Sequence, residues 1–91
     1  MSTKEKVLEE VSIEELLNNN NEIILYNDDV NTFDHVIDTL MRVCDHEALQ
    51  AEQCALLVHY KGKCGVKSGS MKELEPICSA LLDAGLSAEI E

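Results

Sequence analysis

The stretch Ile23-Ile24-Leu25-Tyr26-Asn27-Asp28-Asp29 decides how this chain folds. Its apolar half is bounded by polar residues, which is typical of a strand covered on most of its length, and we expect the central strand here. Its second half places one amide and two carboxylates where that strand passes to a helix beginning near Thr32. Such a corner can hold a cation, although Asn and Asp are also ordinary turn residues.

The composition limits the possible partners. A chain of 91 residues is expected to form one domain. Its net charge of -11, with 18 acidic residues, disfavours nucleic acid and anionic membranes and favours a cationic partner. No apolar run approaches the roughly 18 residues of a spanning helix, and the start at Met1 lacks the apolar core of a secretory signal. A cytoplasmic protein is therefore expected.

The chain contains four cysteines and no C-x-x-C pair: Cys44, Cys54, Cys64 and Cys78. This spacing argues against a zinc ribbon or a redox motif and predicts reduced, buried thiols. Cys44 with His46, or Cys54 with His59, leaves open a metal pair or a nucleophile and its base, but no second orienting pair follows. We predict no metal, no cofactor and no catalytic residue.

Residues 1–21 are charged, then polar, and end in four consecutive asparagines. Ser12 and Glu15 form a possible cap for a short helix that is too short to be stable alone. We expect a flexible N-terminal extension over residues 1–21 and a folded domain over residues 22–91.

Two helices are predicted after the first strand. Thr32 is a suitable N-cap for an amphipathic segment that continues to Cys44. Asp45 is predicted to cap a second helix that ends at Gly62. The end of this segment, Cys54–Tyr60, is apolar enough to be a strand, but no turn residue separates it from the helix formers before it.

The last third of the chain predicts a strand, a helix and a strand. Lys63 to Ser68 alternate in polarity, as a strand with one face in water does. Ser70 and Glu73 form a capping box for a third helix, which Gly85 ends. Residues 86–91 alternate again. The order βααβαβ predicts an α+β fold, a two-layer sandwich in which three helices cover one face of a three-stranded, largely antiparallel sheet.

Three motifs resemble one known family. Asn27-Asp28-Asp29 is followed by the helix Phe33 to Leu40 and then by Val58-His59-Tyr60-Lys61-Gly62-Lys63. In this combination and spacing the chain resembles the ClpS family of adaptors for the ATP-dependent Clp protease, from about Ile23 to its end. The resemblance implies a non-enzymatic adaptor that binds bulky hydrophobic N-terminal residues (N-degrons) of substrate proteins and delivers them to a Clp-family AAA+ unfoldase.

The resemblance also implies which residues bind the degron. It assigns the α-amino group of the substrate to Asn27, Asp28 and His59, with Asp29 assisting through water. It assigns the first side chain, a Leu, Phe, Tyr or Trp, to a hydrophobic pocket lined by Asn31, Phe33, Val36, Ala55, Val58 and Leu86. The family commonly has methionine at the position of Ala55.

Two other readings remain open from the residues. His59 is also compatible with a core histidine, and Phe33, Val36 and Val58 with plain core residues. In that case the chain is an acidic protein-protein docking domain, whose Asn27-Asp28-Asp29 corner is only a turn. A small hydrolase that uses Cys54 and His59 is the third possibility. The adaptor is expected to be a monomer.

Overall fold

The computed structural model describes residues 21–91. The elements, in chain order, are β1 Asn21–Tyr26, α1 Phe33–Val43, α2 Ala48–Lys61, β2 Lys63–Gly69, α3 Met71–Asp83 and β3 Ser87–Ile90. The predicted α+β class and the βααβαβ order are confirmed.

β1 is the central strand of the sheet, as predicted. The strand order is β2-β1-β3, and both neighbours pair with β1 in antiparallel fashion. Ile23 and Leu25 are fully buried on the face towards the helices, whereas Ile24 and Tyr26 on the other face are half-buried. The strand is therefore covered on one face rather than on both.

The strand begins earlier than the sequence indicates. Asn21, which was assigned to the extension, is the first residue of β1 and pairs with Gly69. The rest of the predicted extension, including Ser12 and Glu15, lies outside the described residues. Within residues 21–91, no helix is long and apolar enough to cross a membrane.

The core lies between the sheet and the helices, and every helix and strand contributes to it. Burying each large apolar side chain contributes about 1.5–3 kcal/mol. The largest apolar side chains that are fully buried are Ile23, Leu25, Leu40, Leu74 and Leu81.

Two helices begin with the predicted caps. The hydroxyl of Thr32 accepts the backbone N–H of His35, and that of Ser70 accepts the N–H of Glu73. These bonds satisfy N–H groups that have no partner within the helix. The α1 cap fixes the point at which the loop after β1 becomes helical.

The predicted start of α2 is wrong. Asp45 does not cap the helix; it adopts a left-handed conformation with φ 61°. The N-cap is Glu47, without a side-chain hydrogen bond. Between them His46 is buried, and its Nε2 donates to the carbonyl of Val66 at 2.7 Å. Docking of this imidazole on β2 sets the turn between the two helices and moves the start of α2 to Ala48.

Gly62 ends α2, as predicted, and connects it to β1. Its φ of 91° is the left-handed conformation that glycine adopts without steric cost. Its carbonyl accepts the backbone N–H of Asn27 at 2.9 Å. The end of α2 is thereby held against the residue that follows the central strand.

Gly62→Ala is expected to destabilise the domain by about 1 kcal/mol, because an alanine in the left-handed region is strained. A Cβ at this position meets no atom within 4 Å, so the loss is conformational and not steric. Thermal unfolding should show a Tm lower by roughly 4–8 °C. Gly62→Asn should lower the Tm less than Gly62→Ala, since asparagine tolerates this conformation better. An equal decrease in Tm in the two variants would contradict the explanation.

Candidate functional site

A surface cleft of about 330 Å³ lies between the loop after β1 and helices α1 and α2. All ten residues that the sequence analysis assigned to a binding site line this cleft: Asn27, Asp28, Asp29, Asn31, Phe33, Val36, Ala55, Val58, His59 and Leu86. The structure therefore brings the two predicted groups together in one place. Leu25, Tyr26 and Thr32 also line the cleft and were not predicted as site residues.

The carboxylate of Asp28 organises the loop between β1 and α1. Its Oδ1 accepts the backbone N–H groups of Val30 and Asn31, both at 2.9 Å. Its Oδ2 accepts the side-chain Nδ2 of Asn31 at 2.8 Å. A carboxylate has about four acceptor sites. Three of them are occupied by the protein's own loop.

Asn31 connects this loop to the other end of the chain. Its Nδ2 donates both to Asp28 and to the carbonyl of Gly85, the latter at 2.9 Å. Gly85 lies in the turn between α3 and β3, with φ 89°. Asn31 was predicted as a lining residue only; in the structure it also fixes the acidic corner to the segment that carries Leu86.

The same contacts set the charge of Asp28. Partial burial by itself raises the pKa of this carboxyl group, but hydrogen bonds from Asn31, from the Val30 N–H and from the Ser87 hydroxyl outweigh burial and lower the pKa below its ordinary value. Donors that bond to the charged form stabilise it. Asp28 therefore stays negatively charged throughout the neutral range.

Asn27 and Asp29 present their side chains to solvent at the edge of the cleft. Both are exposed. The backbone of Asn27 is fixed by its bond to Gly62, while its side-chain amide forms no hydrogen bond within residues 21–91. The amide oxygen of Asn27 and the carboxylate of Asp29 are thus available as acceptors for a ligand.

His59 lies on the rim of the cleft and not in the core. The residue is exposed. Its ring centroid is 5.2 Å from that of Phe33, with an angle of 53° between the planes, and 4.8 Å from that of Tyr60. The alternative of a buried core histidine is therefore wrong. His59 and Phe33 are neighbouring aromatic residues in the lining of the cleft.

The apolar wall of the cleft is shared with the core. Ala55, Val58 and Leu86 are each less than a tenth exposed, and Val36 is half-buried. Phe33 is 41% exposed and is the most accessible of the predicted pocket residues. Val36, Val58 and Leu86 have both roles, because they pack with the core and also line the cleft, whereas Phe33 is not part of the core cluster.

The cysteine and histidine pairs that the sequence left open do not belong to a larger cluster of metal ligands in the described part of the chain. Across residues 21–91, no group of three or more His, Cys, Asp or Glu side chains could hold a metal ion. His46 bonds to Val66. Burial, with the neighbouring thiol of Cys64, raises the pKa of Cys54 to about 12. A thiol that keeps its proton at neutral pH is a poor nucleophile, which disfavours the hydrolase.

The sequence matches a family model over most of its length. The model describes the ATP-dependent Clp protease adaptor protein ClpS and matches residues 17–89. The chain belongs to the ClpS family. ClpS proteins are adaptors of a protease and are not proteases themselves.

A solved ClpS structure has the same fold. The structure of Agrobacterium tumefaciens ClpS2 bound to L-phenylalaninamide is similar with a TM-score of 0.71. The two sequences are 21% identical, and the match covers 78% of this chain and 93% of the other. At this level of identity the similarity establishes the fold.

Tyr26 is a cleft residue that the sequence analysis missed. Its hydroxyl donates to the carboxylate of Glu91, and this bond, more than burial and nearby charges, raises the pKa of Tyr26 to about 12. The bond connects the end of β1 to the segment after β3. The position of Tyr26 directly before Asn27 could have indicated that it lines the cleft. Its hydrogen bond to Glu91 was not predictable, because the two residues are 65 positions apart in sequence.

Replacement of Asn31 by alanine should raise the pKa of Asp28. The variant removes the side-chain donor to Oδ2, so the charged form loses a hydrogen bond while the two backbone donors remain. NMR titration of the carboxyl carbons would measure the shift. Asn27→Ala is the matched control, since its side chain does not bond to Asp28; an equal pKa in wild type and Asn31→Ala would contradict the described loop.

Proposed function

We propose that this ClpS-family chain binds the N-terminal residue of substrate proteins in the cleft and delivers these proteins to a Clp-family AAA+ unfoldase. The observation that supports the proposal is the joining of an acidic corner to an apolar wall in one cleft of about 330 Å³. That volume is at the lower end of ligand pockets and suits one amino-acid residue. The related ClpS2 binds L-phenylalaninamide, a ligand with a free amino group and a bulky side chain.

The acidic corner binds the protonated α-amino group. This group has a reference pKa of about 7.7–8.0, is mostly charged at neutral pH and has three donors. The amide oxygen of Asn27, the carboxylate of Asp28 and an imidazole nitrogen of His59 are three acceptors. Asp29 assists through water. Because Asp28 also holds its own loop, it contributes mainly a fixed negative charge.

The apolar wall receives the first side chain. Val36, Ala55, Val58 and Leu86 line this part of the cleft, together with Phe33 and Asn31. Burying a Leu or Phe side chain contributes about 1.5–3 kcal/mol. Hydrogen bonds to a charged group contribute about 1.5–3 kcal/mol each. After the loss of freedom on binding, an affinity of roughly micromolar strength is expected, and both halves of the cleft are needed.

The residue preference follows from the small side chain at position 55. Ala55 is 4% exposed and lies beside Val58 on α2. A methionine, which is common in the family, would occupy part of the cleft, so we infer that this chain accepts larger first residues than a Met-containing relative. The large side chain of Phe33, which also lines the cleft, fills part of the space that Ala55 leaves open. The proposed substrates carry N-terminal Leu, Phe, Tyr or Trp.

A further part of the proposal concerns the residues that precede β1. The family resemblance implies that the unfoldase engages an N-terminal extension of the adaptor during delivery. We therefore propose that residues 1–18 act in delivery and not in binding. Their deletion should leave the affinity for peptides unchanged and impair degradation of an N-degron substrate by the Clp protease; weaker peptide binding would contradict this assignment.

Fluorescence anisotropy tests the binding function directly. A labelled peptide with N-terminal Phe should bind with roughly micromolar Kd, while the same peptide with an acetylated N-terminus should not bind, since it lacks the charge. Equal affinity for the two forms would favour the acidic docking domain. Cleavage of the peptide would favour the hydrolase.

His59→Ala should weaken binding of the Phe peptide at least tenfold, which is about 1.4 kcal/mol. Because His59 is exposed, the Tm should change little. Gln53→Ala is the matched control, since Gln53 is an exposed polar residue on the same helix that does not line the cleft. Loss of folding in His59→Ala, or equal weakening in both variants, would remove His59 from the proposed site.

Asp28→Asn should also weaken binding at least tenfold, about 1.4 kcal/mol, because it removes the fixed charge. This variant should lower the Tm as well, since the new Nδ2 opposes the donor of Asn31. Asp34→Asn is the control for charge, as Asp34 is exposed on α1 and does not line the cleft. Binding of wild-type strength by Asp28→Asn would contradict the proposed role.

Ala55→Met should reduce affinity for N-terminal Trp more than for N-terminal Leu, because it takes volume from the inner wall. The ratio of the two Kd values, measured with otherwise identical peptides, is the readout. Leu56→Met is the control, since Leu56 is 47% exposed on the same helix and does not line the cleft. An unchanged ratio would show that position 55 does not set the preference.

A further inference from the structure

Two thiols contact each other at the junction of α2 and β2. The sulfur of Cys54 on α2 lies 3.1 Å from that of Cys64 on β2, and both residues are free cysteines. Cys54 is 8% exposed, whereas Cys64 is half-buried and is the thiol that solvent reaches more easily. The pair comes from positions ten residues apart, without a C-x-x-C motif.

We propose that Cys54 and Cys64 form a peroxide-sensitive dithiol, which closes to an intramolecular disulfide and in that state weakens ligand binding in the neighbouring cleft. The effect on binding rests on the proposed function, whereas formation of the disulfide does not.

The reaction needs hydrogen peroxide as the oxidant. The sulfur of Cys64 attacks one peroxide oxygen, the O–O bond breaks, and the other oxygen leaves as water with the thiol proton of Cys64. Cys64 is then a sulfenic acid. The sulfur of Cys54 attacks that of Cys64, the S–O bond breaks, and the oxygen leaves as water with the thiol proton of Cys54. Two thiols and one peroxide give one disulfide and two waters.

The two thiols have different surroundings, which fits these two roles. Burial and the adjacent thiol raise the pKa of Cys54 to about 12, so it remains protonated and does not react first. It nevertheless lies in contact with Cys64 and is therefore positioned to attack the sulfenic acid before a second peroxide arrives. Because the two sulfurs are already in contact, the attack needs no encounter with a second thiol, and the proton of Cys54 is transferred to the departing oxygen.

The position of the pair explains how the disulfide would affect the cleft. The segment between the two cysteines contains Ala55, Val58 and His59, the three residues by which α2 lines the cleft. A disulfide has an S–S length of about 2.05 Å, so the sulfurs must approach by about 1 Å from 3.1 Å. Gaps of about 0.5–1 Å already remove a quarter to a half of a dispersion contact. The cleft described above is the reduced form, and oxidation is expected to disturb its wall.

Mass spectrometry of the full chain after peroxide treatment tests the disulfide. The expected product has lost two hydrogen atoms, contains a Cys54–Cys64 linkage in peptide mapping, and returns to the starting mass with dithiothreitol. Cys64→Ser should abolish the product. Cys54→Ala should leave Cys64 to oxidise to the sulfinic acid. Cys78→Ala is the matched control, since Cys78 is also 8% exposed, and it should still form the disulfide.

Accumulation of sulfinic acid at Cys64 in the wild-type chain, with Cys54 unmodified, would overturn the proposal. Binding of the labelled Phe peptide tests the second half: oxidation should weaken it by about threefold or more in wild type, reversibly, and not in Cys64→Ser. Disulfide formation with unchanged affinity would overturn the effect on the cleft alone. Absence of binding by the reduced chain would instead count against the proposed function, while the mass measurement still decides the disulfide.

Discussion

The hydrogen bonds around the carboxylate of Asp28 are the constraint on which the site depends. They convert the end of the central strand into a fixed loop, and the side chain of Asn31 carries this constraint to the carbonyl of Gly85. The carbonyl of Gly62 holds Asn27 from the other side. The three segments that surround the acidic corner are therefore connected to one another, and the corner is preorganised before any ligand binds.

The cleft combines two kinds of attraction that are weak when separate. The acidic corner provides a fixed negative charge, and the overall charge of -11 adds a long-range attraction for a cationic group. The apolar wall provides burial for a side chain without creating a deep cavity in a small core. A protonated chain terminus with a bulky first residue is the ligand that uses both. Acetylation of the peptide, or removal of its first side chain, is therefore expected to reduce the affinity strongly.

Much of the fold was predictable from the sequence because local signals agree with each other. Thr32 and Ser70 mark helix starts by their own side chains, and Gly62 marks an end by its backbone freedom. The start of α2 was not predictable, because it depends on the docking of His46 against a strand twenty residues away. The roles of the cleft residues came from the family resemblance; the bond between Asn31 and Gly85 joins positions 54 residues apart and leaves no local pattern.

A structure of the chain in complex with L-phenylalaninamide tests the central claim most directly. The ring should lie against Val36, Ala55 and Val58, and the amino nitrogen should lie within hydrogen-bond distance of the side chains of Asn27 and Asp28, at about 2.7–3.2 Å. The imidazole of His59 should contact the same nitrogen. A ring bound outside the cleft, or an amino group directed to solvent away from the acidic corner, would contradict the account.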